Sequence, residues 1–531
     1  MGMRIGALVV VGVGGIVGWA NPADACGGLF CSQTSPTPVD QKAERILFEV
    51  HDDSSVTSTV EIKYSGDPRA FSWIIPVPGT PQTVDVAPAS ALLLLDALTR
   101  PTLIGPQLTC SRADIDGSSP QSPTEGADPN VGVDVTTYPS VGPFDGIISV
   151  SGEDPQQLID FLNDNGYLVT EAMRSYIEAY TLEGAKFLAV KLAPGAEVSD
   201  IVPIRFHCPA ENPTIPIRLT AIAAEPDMSI LAVVVARQRY EPSNWAEVPV
   251  PESELRVDAN TGQNNYFPII SRAVDRAGGS AFVVERAASS AQTVANIDFA
   301  FLGTADEEQA KEDLRGILAE GTYLTRFYTR LHPEEMLDDP IFRPSTRGDV
   351  DGIFDASQNQ PVVDVCSGET PPPPPPCGFT YCGLEGECAI DSTGAEGCAC
   401  SSGFVARRVS DPSGRPTVSC QSQDMQVLGG VAGLSFCDGV DCGNGACRLV
   451  NGVATCMCDE GNVAVANDQN RAGVSCRALV ERLPDNIAWP FDRRSTEAPG
   501  LFGCSAQPHS AGFLTLGLAA LLLLHRRRRR H

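Results

Sequence analysis

His207 and Cys208 stand side by side, and an imidazole beside a thiol is the pairing that turns a cysteine into a nucleophile. The run Ile201 to His207 reads as a strand, however, and neighbouring strand residues point to opposite faces, so the two cannot readily meet. Only His51, His207 and His332 fall in the large N-terminal part, which leaves few members for a triad or a multi-histidine metal site. No His-Glu-x-x-His, Gly-x-Ser-x-Gly or Gly-x-x-x-x-Gly-Lys-Ser/Thr occurs, so zinc-hydrolase, α/β-hydrolase and phosphate-loop chemistry lose their main support. With 66 acidic residues a hidden carboxylate pair has room. An exported hydrolase working with acidic residues is therefore the alternative to a non-catalytic protein with a binding, adhesion or structural role.

Cysteine spacing carries more. Of 18 cysteines, twelve form two matching series: Cys377, Cys382, Cys388, Cys398, Cys400, Cys420, then Cys437, Cys442, Cys447, Cys456, Cys458, Cys476. Such density indicates an oxidising compartment. Units this short bury too little apolar surface to fold unaided, so bridges worth about 2 to 4 kcal/mol each must hold them. Spacing alone leaves all fifteen pairings of six cysteines open. Zinc is the rival, but neither series contains histidine, and zinc knuckles usually place two residues between paired cysteines. The single residue between the fourth and fifth cysteines, with Gly403-Phe404 after Cys400, resembles the epidermal-growth-factor-like module. That resemblance implies pairs one–three, two–four and five–six. The calcium-binding version needs acidic residues just before its first cysteine, where Pro376 and Phe436 stand here, so no calcium, and no other cofactor, is expected.

Both ends of the chain read as addresses. Arg4 followed by Ile5 to Val17, then Ala23-Asp24-Ala25, has the charged, apolar and small-residue regions of an export signal over 1–25, with the cut before Cys26. A lipidated Cys26 is the variant reading, although Ala23 stands where leucine is usual. Ala511 to Leu524 is uncharged and as a helix reaches about 21 Å, short of a hydrocarbon core of about 30 Å. Arg526 to Arg530 behind it would resist translocation. Gly503-Cys504, the spacer, the short apolar helix and the arginines resemble the C-terminal sorting domain of myxobacterial surface proteins, which implies processing and attachment near Cys504 over the segment 504–531. The envelope membrane is then a partner through the tail, and the protein belongs at the outer surface. A net charge of −28 argues against nucleic acid and suits solubility outside the cell, where the partner is an extracellular protein or glycan.

Between these ends lies an α+β head, an antiparallel sheet or sandwich with helices, over 26–345. Ile46 to His51 and Thr57 to Tyr64 read as a hairpin, and Phe71 to Pro78 as a strand ended by prolines. Cys-Gly-Gly-Leu-Phe-Cys at Cys26 to Cys31 and Phe71-Ser72-Trp73-Ile74-Ile75-Pro76-Val77-Pro78 resemble the opening of a bacterial domain of unknown function, family 2330; Tyr323 to Leu331 and His332-Pro333-Glu334-Glu335-Met336 resemble its end. The family has no assigned activity. Helices are expected over Ala89 to Thr99, Asp154 to Asn165, Thr170 to Leu182 and Asp306 to Glu320. Strands are expected at Lys186 to Leu192, Ile201 to His207, Ile215 to Ala223 and Ser229 to Arg237, the last two a hairpin turning at Glu225-Pro226-Asp227. Ser111 to Tyr138 is a polar loop. A linker over 346–376 ends in the polyproline run Pro371 to Pro376. The disulfide modules occupy 377–420 and 437–476, a stalk 477–503, and the short apolar helix closes the chain.

Cys26, Cys31, Cys110, Cys208 and Cys366 remain, an odd number. Cys26 with Cys31 closes a short Gly-containing loop, and Cys110 with Cys208 would tie the polar loop to a strand end, leaving Cys366 free or joined to another chain.

Overall fold

Strand Asp40–Val50 is the axis of the head. In the computed structural model, which describes residues 40–482 apart from 66–71, 107–133, 298–303, 360–375, 411–415, 424–436 and gaps at 153, 168, 170, 259–260, 438, 451–452 and 471, it pairs antiparallel with Ser55–Ser65. On its other side it pairs parallel with Ala224–Ala236. Ile46, Leu47 and Phe48 are all buried, as a central strand covered on both faces requires. The full sheet has eight strands in the order Ala246–Val248, Ala281–Ser289, Tyr323–Leu331, Ala224–Ala236, Asp40–Val50, Ser55–Ser65, Ile204–Pro209, Thr83–Val86. It is mixed rather than antiparallel as expected, because the long excursion between Val50 and Ala224 supplies the crossover that a parallel neighbour needs.

Alternation along the strands separates two layers. Ile46, Phe48, Phe206 and Cys208 face Trp73, Ile75 and Val77 of a second, four-stranded antiparallel sheet (Ser72–Val77, Lys186–Leu192, Phe144–Ser151, Asp134–Thr137) around a cavity of about 40 Å³. On the opposite face Arg205 reaches Asp313 of helix Ala305–Gly321. Arg326 on the same sheet reaches Asp96 of helix Ala91–Thr99. Helix Pro155–Asp164 starts where the sequence places it, the Asp154 carboxylate accepting the Gln156 amide at 2.9 Å.

The expected hairpin at Glu225-Pro226-Asp227 is not formed. Ile217–Thr220 is a helical turn, and Ala224–Ala236 is one strand running through the supposed turn. Asp227 takes a left-handed φ of 62° there, and the register against Asp40–Val50 slips, so turn-forming residues make a bulge instead. The expected Cys110–Cys208 bridge is also corrected at its strand end. Cys208 is a free, buried thiol on an inward position, its Sγ 3.5 Å from the Gly79 carbonyl oxygen, and burial pushes its pKa up to about 12. Cys26, Cys31, Cys110, Cys366 and Cys504 lie outside the described residues.

The C-terminal region has its own core, built largely of bridged cysteines. Its bridges are Cys377–Cys388, Cys382–Cys398, Cys400–Cys420, Cys437–Cys447, Cys442–Cys456 and Cys458–Cys476, with Cα separations from 5.3 to 5.8 Å. The two series do not stand apart. Gly386–Asp391 and Glu396–Cys400 close a small barrel with Asn462–Ala466 and Val474–Arg482, while Pro416–Ser422 and Phe404–Ser410 share a sheet with Val453–Cys458 and Gly445–Val450. Interlocking covers edges that a lone hairpin would expose. The region contacted by the head is therefore one body with six staples. Among the described residues no helix is long and apolar enough to cross a membrane, and the expected tail helix lies outside them.

Candidate functional site

The head presents a buried polar cluster to this body, assembled from three separated segments. The first is the bulge, which turns the Asp227 carboxylate onto the guanidinium of Arg330 on strand Tyr323–Leu331. Arg330 Nε lies 3.0 Å from both carboxylate oxygens and Nη2 2.5 Å from Oδ2, while Nε also donates to Ser271 Oγ at 3.2 Å. Helix Tyr266–Arg276 supplies Ser271 and Asp275 and sets the Phe267 ring 5.5 Å from the Arg330 guanidinium. Beyond the strand, His332 opens the helical turn Pro333–Glu335, and its amide donates to Glu335 Oε2 at 2.7 Å. Gly279, at φ 83°, lets Glu335 fold in: a Cβ there would meet Glu335 Oε1 at 2.6 Å.

The disulfide body inserts Tyr381 into this cluster from the short Cys377 to Cys382 segment. Its hydroxyl donates to Asp275 Oδ2 at 2.8 Å, so at 3.2 Å it accepts from His332 Nε2. His332 Nδ1 is then the unprotonated nitrogen, buried without a partner among the described residues, and burial lowers the ring's pKa, holding it neutral. Burial raises Asp275 to about 7 and Glu335 to about 8, with neighbouring acids adding to the shift and the Tyr381 and His332 hydrogen bonds opposing it. Glu334 closes the seam by accepting the Ser422 amide at 3.1 Å.

Beside this seam runs a cleft of about 640 Å³. Phe267 from the head and Phe379 and Tyr381 from the disulfide body give it aromatic surfaces; Gln263, Asn264 and Thr417 give it amides and a hydroxyl. Its charges are already engaged: Arg330 by Asp227, and Glu396 by the Thr380 hydroxyl at 2.7 Å. Glu396 also lies near Cys377 and Cys388, but their sulfurs are bonded to each other and offer no thiolate to a metal.

The sequence pattern of an uncharacterized protein family conserved in bacteria, DUF2330, matches residues 21–343. The chain belongs to this family. No curated protein and no solved structure matches the chain. The DUF2330 match ends at the strand Phe342–Pro344, so His332 and Glu335 lie inside the family domain, whereas Tyr381 and the cysteine series lie beyond it. The cleft thus joins the DUF2330 domain to a disulfide-rich extension. Sequence reading named the cysteines of that extension but not Asp227, Asp275, His332, Glu335 or Tyr381 as site residues. One signal was available: Phe379 and Tyr381 are two aromatics among the four residues between Cys377 and Cys382, in a body with little apolar core of its own.

Proposed function

We propose that this chain is an exported binding protein displayed at the cell surface, whose DUF2330 head and disulfide-rich extension together hold a neutral polar ligand. The observation that carries this reading is the cleft of about 640 Å³ between them, within the size range of small-ligand sites. Aromatic faces with amides and hydroxyls, and no unpaired cation among the described lining residues, suit an uncharged polyhydroxylated ligand such as a short glycan and disfavour phosphates. Asp227 and Glu396, the carboxylates on its wall, are tied to Arg330 and Thr380, which favours binding over acid–base chemistry. Six disulfides support an oxidising compartment. The likeness of the cysteine series to epidermal-growth-factor-like modules, and of the segment 504–531 to a sorting signal, support display on a stalk with Cys504 as the attachment point.

The test of binding uses the purified chain against an immobilised panel of neutral di- to tetrasaccharides. Retention of at least one, reduced about tenfold or more by Phe379→Ala, supports the reading. No retention across the panel, or retention unchanged in Phe379→Ala, overturns the cleft as the site. Display is tested separately: deleting Cys504 to His531 is expected to move the protein from the cell fraction to the medium. A deletion product still wholly cell-bound rules out anchoring through the tail.

A further inference from the structure

Far along the large sheet from the disulfide body, two of the three head histidines converge. His51 follows strand Asp40–Val50, His207 lies on Ile204–Pro209, and between them on Ser55–Ser65 stands Thr57, which is in register with both Glu49 and His207. His51 Nε2 is 2.8 Å and His207 Nδ1 2.9 Å from the same Thr57 hydroxyl oxygen, and the two rings are 5.3 Å apart at their centroids. They border a cavity of about 320 Å³ whose other polar lining is Glu49, Asp52, Asp53, Arg237 and Glu320. Among the described residues, the one cation lining it is engaged, Arg237 pairing with Asp52 at 2.7 Å, and Glu49 Oε1 is buried with no hydrogen-bond partner.

We propose that His51 and His207 are the imidazole ligands of a divalent transition-metal site, with Glu49 or Asp53 completing the coordination from the cavity wall. Two imidazoles with carboxylate oxygen form a donor set for zinc or copper(II), rather than for calcium, which prefers oxygen alone. As they stand, the two imidazole nitrogens and a carboxylate oxygen do not all lie within 4.8 Å of one another, so a metal with bonds of about 2.0 to 2.1 Å to nitrogen must draw these side chains together. An acidic cavity without an unpaired cation raises the local concentration of divalent cations. The site is independent of the glycan reading, since it shares no residue with the cleft.

The experiment titrates the full chain separately with Zn²⁺, Cu²⁺ and Ca²⁺ by calorimetry and records the electron paramagnetic resonance spectrum of the copper-loaded protein. The expected result is one zinc or copper equivalent bound, a copper spectrum with hyperfine splitting from two imidazole nitrogens, and no comparable calcium binding. His51→Gln and His207→Gln should each weaken that equivalent by about tenfold or more, with circular dichroism unchanged. Binding of equal strength in the doubly substituted chain would place the metal on other groups, such as the tail histidines, and sink the proposal. A wild-type spectrum without imidazole nitrogen would do the same, whatever the variants' folding.

Discussion

Replacing Arg326 with methionine is expected to destabilise the head by about 3 to 5 kcal/mol, read as the drop in unfolding free energy in urea at neutral pH. Arg326 is 5% exposed and its partner Glu285 2%. Its Nε bonds Glu285, Nη2 donates to Asp96 Oδ1 at 2.8 Å and Nη1 to Thr99 Oγ1 at 2.9 Å, so one guanidinium ties strand Tyr323–Leu331 to strand Ala281–Ser289 and to helix Ala91–Thr99. Methionine fills most of the volume and removes the charge, leaving the Glu285 carboxylate buried with, among the described residues, only the Tyr266 hydroxyl, at 2.6 Å, to satisfy it. The cost therefore lies in a stranded charge rather than a cavity. One consequence separates these causes: Arg326→Met combined with Glu285→Leu should recover much of the loss, because no buried charge is then left unpaired. A double variant as unstable as the single one would show that packing, not electrostatics, sets the penalty.

Arg326 also marks where sequence reading succeeds and where it stops. Tyr323 to Leu331, read in the sequence only as resembling the family's end, forms a strand; Lys186–Leu192 has the expected bounds because a β-forming run lies between breakers. The Asp154 cap and Pro155 locate a helix start because capping is decided within one turn. Local rules say nothing about which strand lies beside which. Thr57 meets His207 across 150 residues, and Arg330 meets Asp227 across 103, so neither site exists until the sheet order is fixed. Glu225-Pro226-Asp227 misled because aspartate's tolerance of a left-handed φ serves a turn and a bulge alike, and tertiary pairing chose the bulge. Cys208 misled because an oxidising compartment favours bridges, yet strand alternation had placed it inward beside Phe206, where it is a buried free thiol.

Tyr381 is the pin of the junction, and Tyr381→Ala is expected to cost about 3 to 5 kcal/mol, because it opens an aromatic-sized cavity and strands two buried polar partners. Tyr381→Phe isolates the hydroxyl: it leaves Asp275 Oδ2 and His332 Nε2 unpaired and should cost about 1 to 3 kcal/mol. The same cluster makes the junction depend on pH. Asp275 and Glu335 are held above their ordinary values of 3.8 and 4.5, at about 7 and about 8, so the folded state keeps protons that the unfolded state releases. Their stabilisation is complete below about pH 4 and is lost as pH rises through 7 to 8. His332 works in the opposite sense. Its depressed pKa makes it resist protonation in the folded state, so it weakens the junction as pH falls below 6.5, but one imidazole opposes two carboxylates. Asp227 and Glu334 raise the cost of ionising Glu335, while Arg272 and Arg276 ease that of Asp275. Net charge makes the whole chain less stable at high pH as well, so the informative quantity is the difference between wild type and Asp275→Asn. That variant keeps a neutral side chain of the same shape at every pH. It should gain on the wild type between pH 5 and pH 8.5 in urea unfolding, and a constant difference across that range would show that Asp275 does not titrate at the junction.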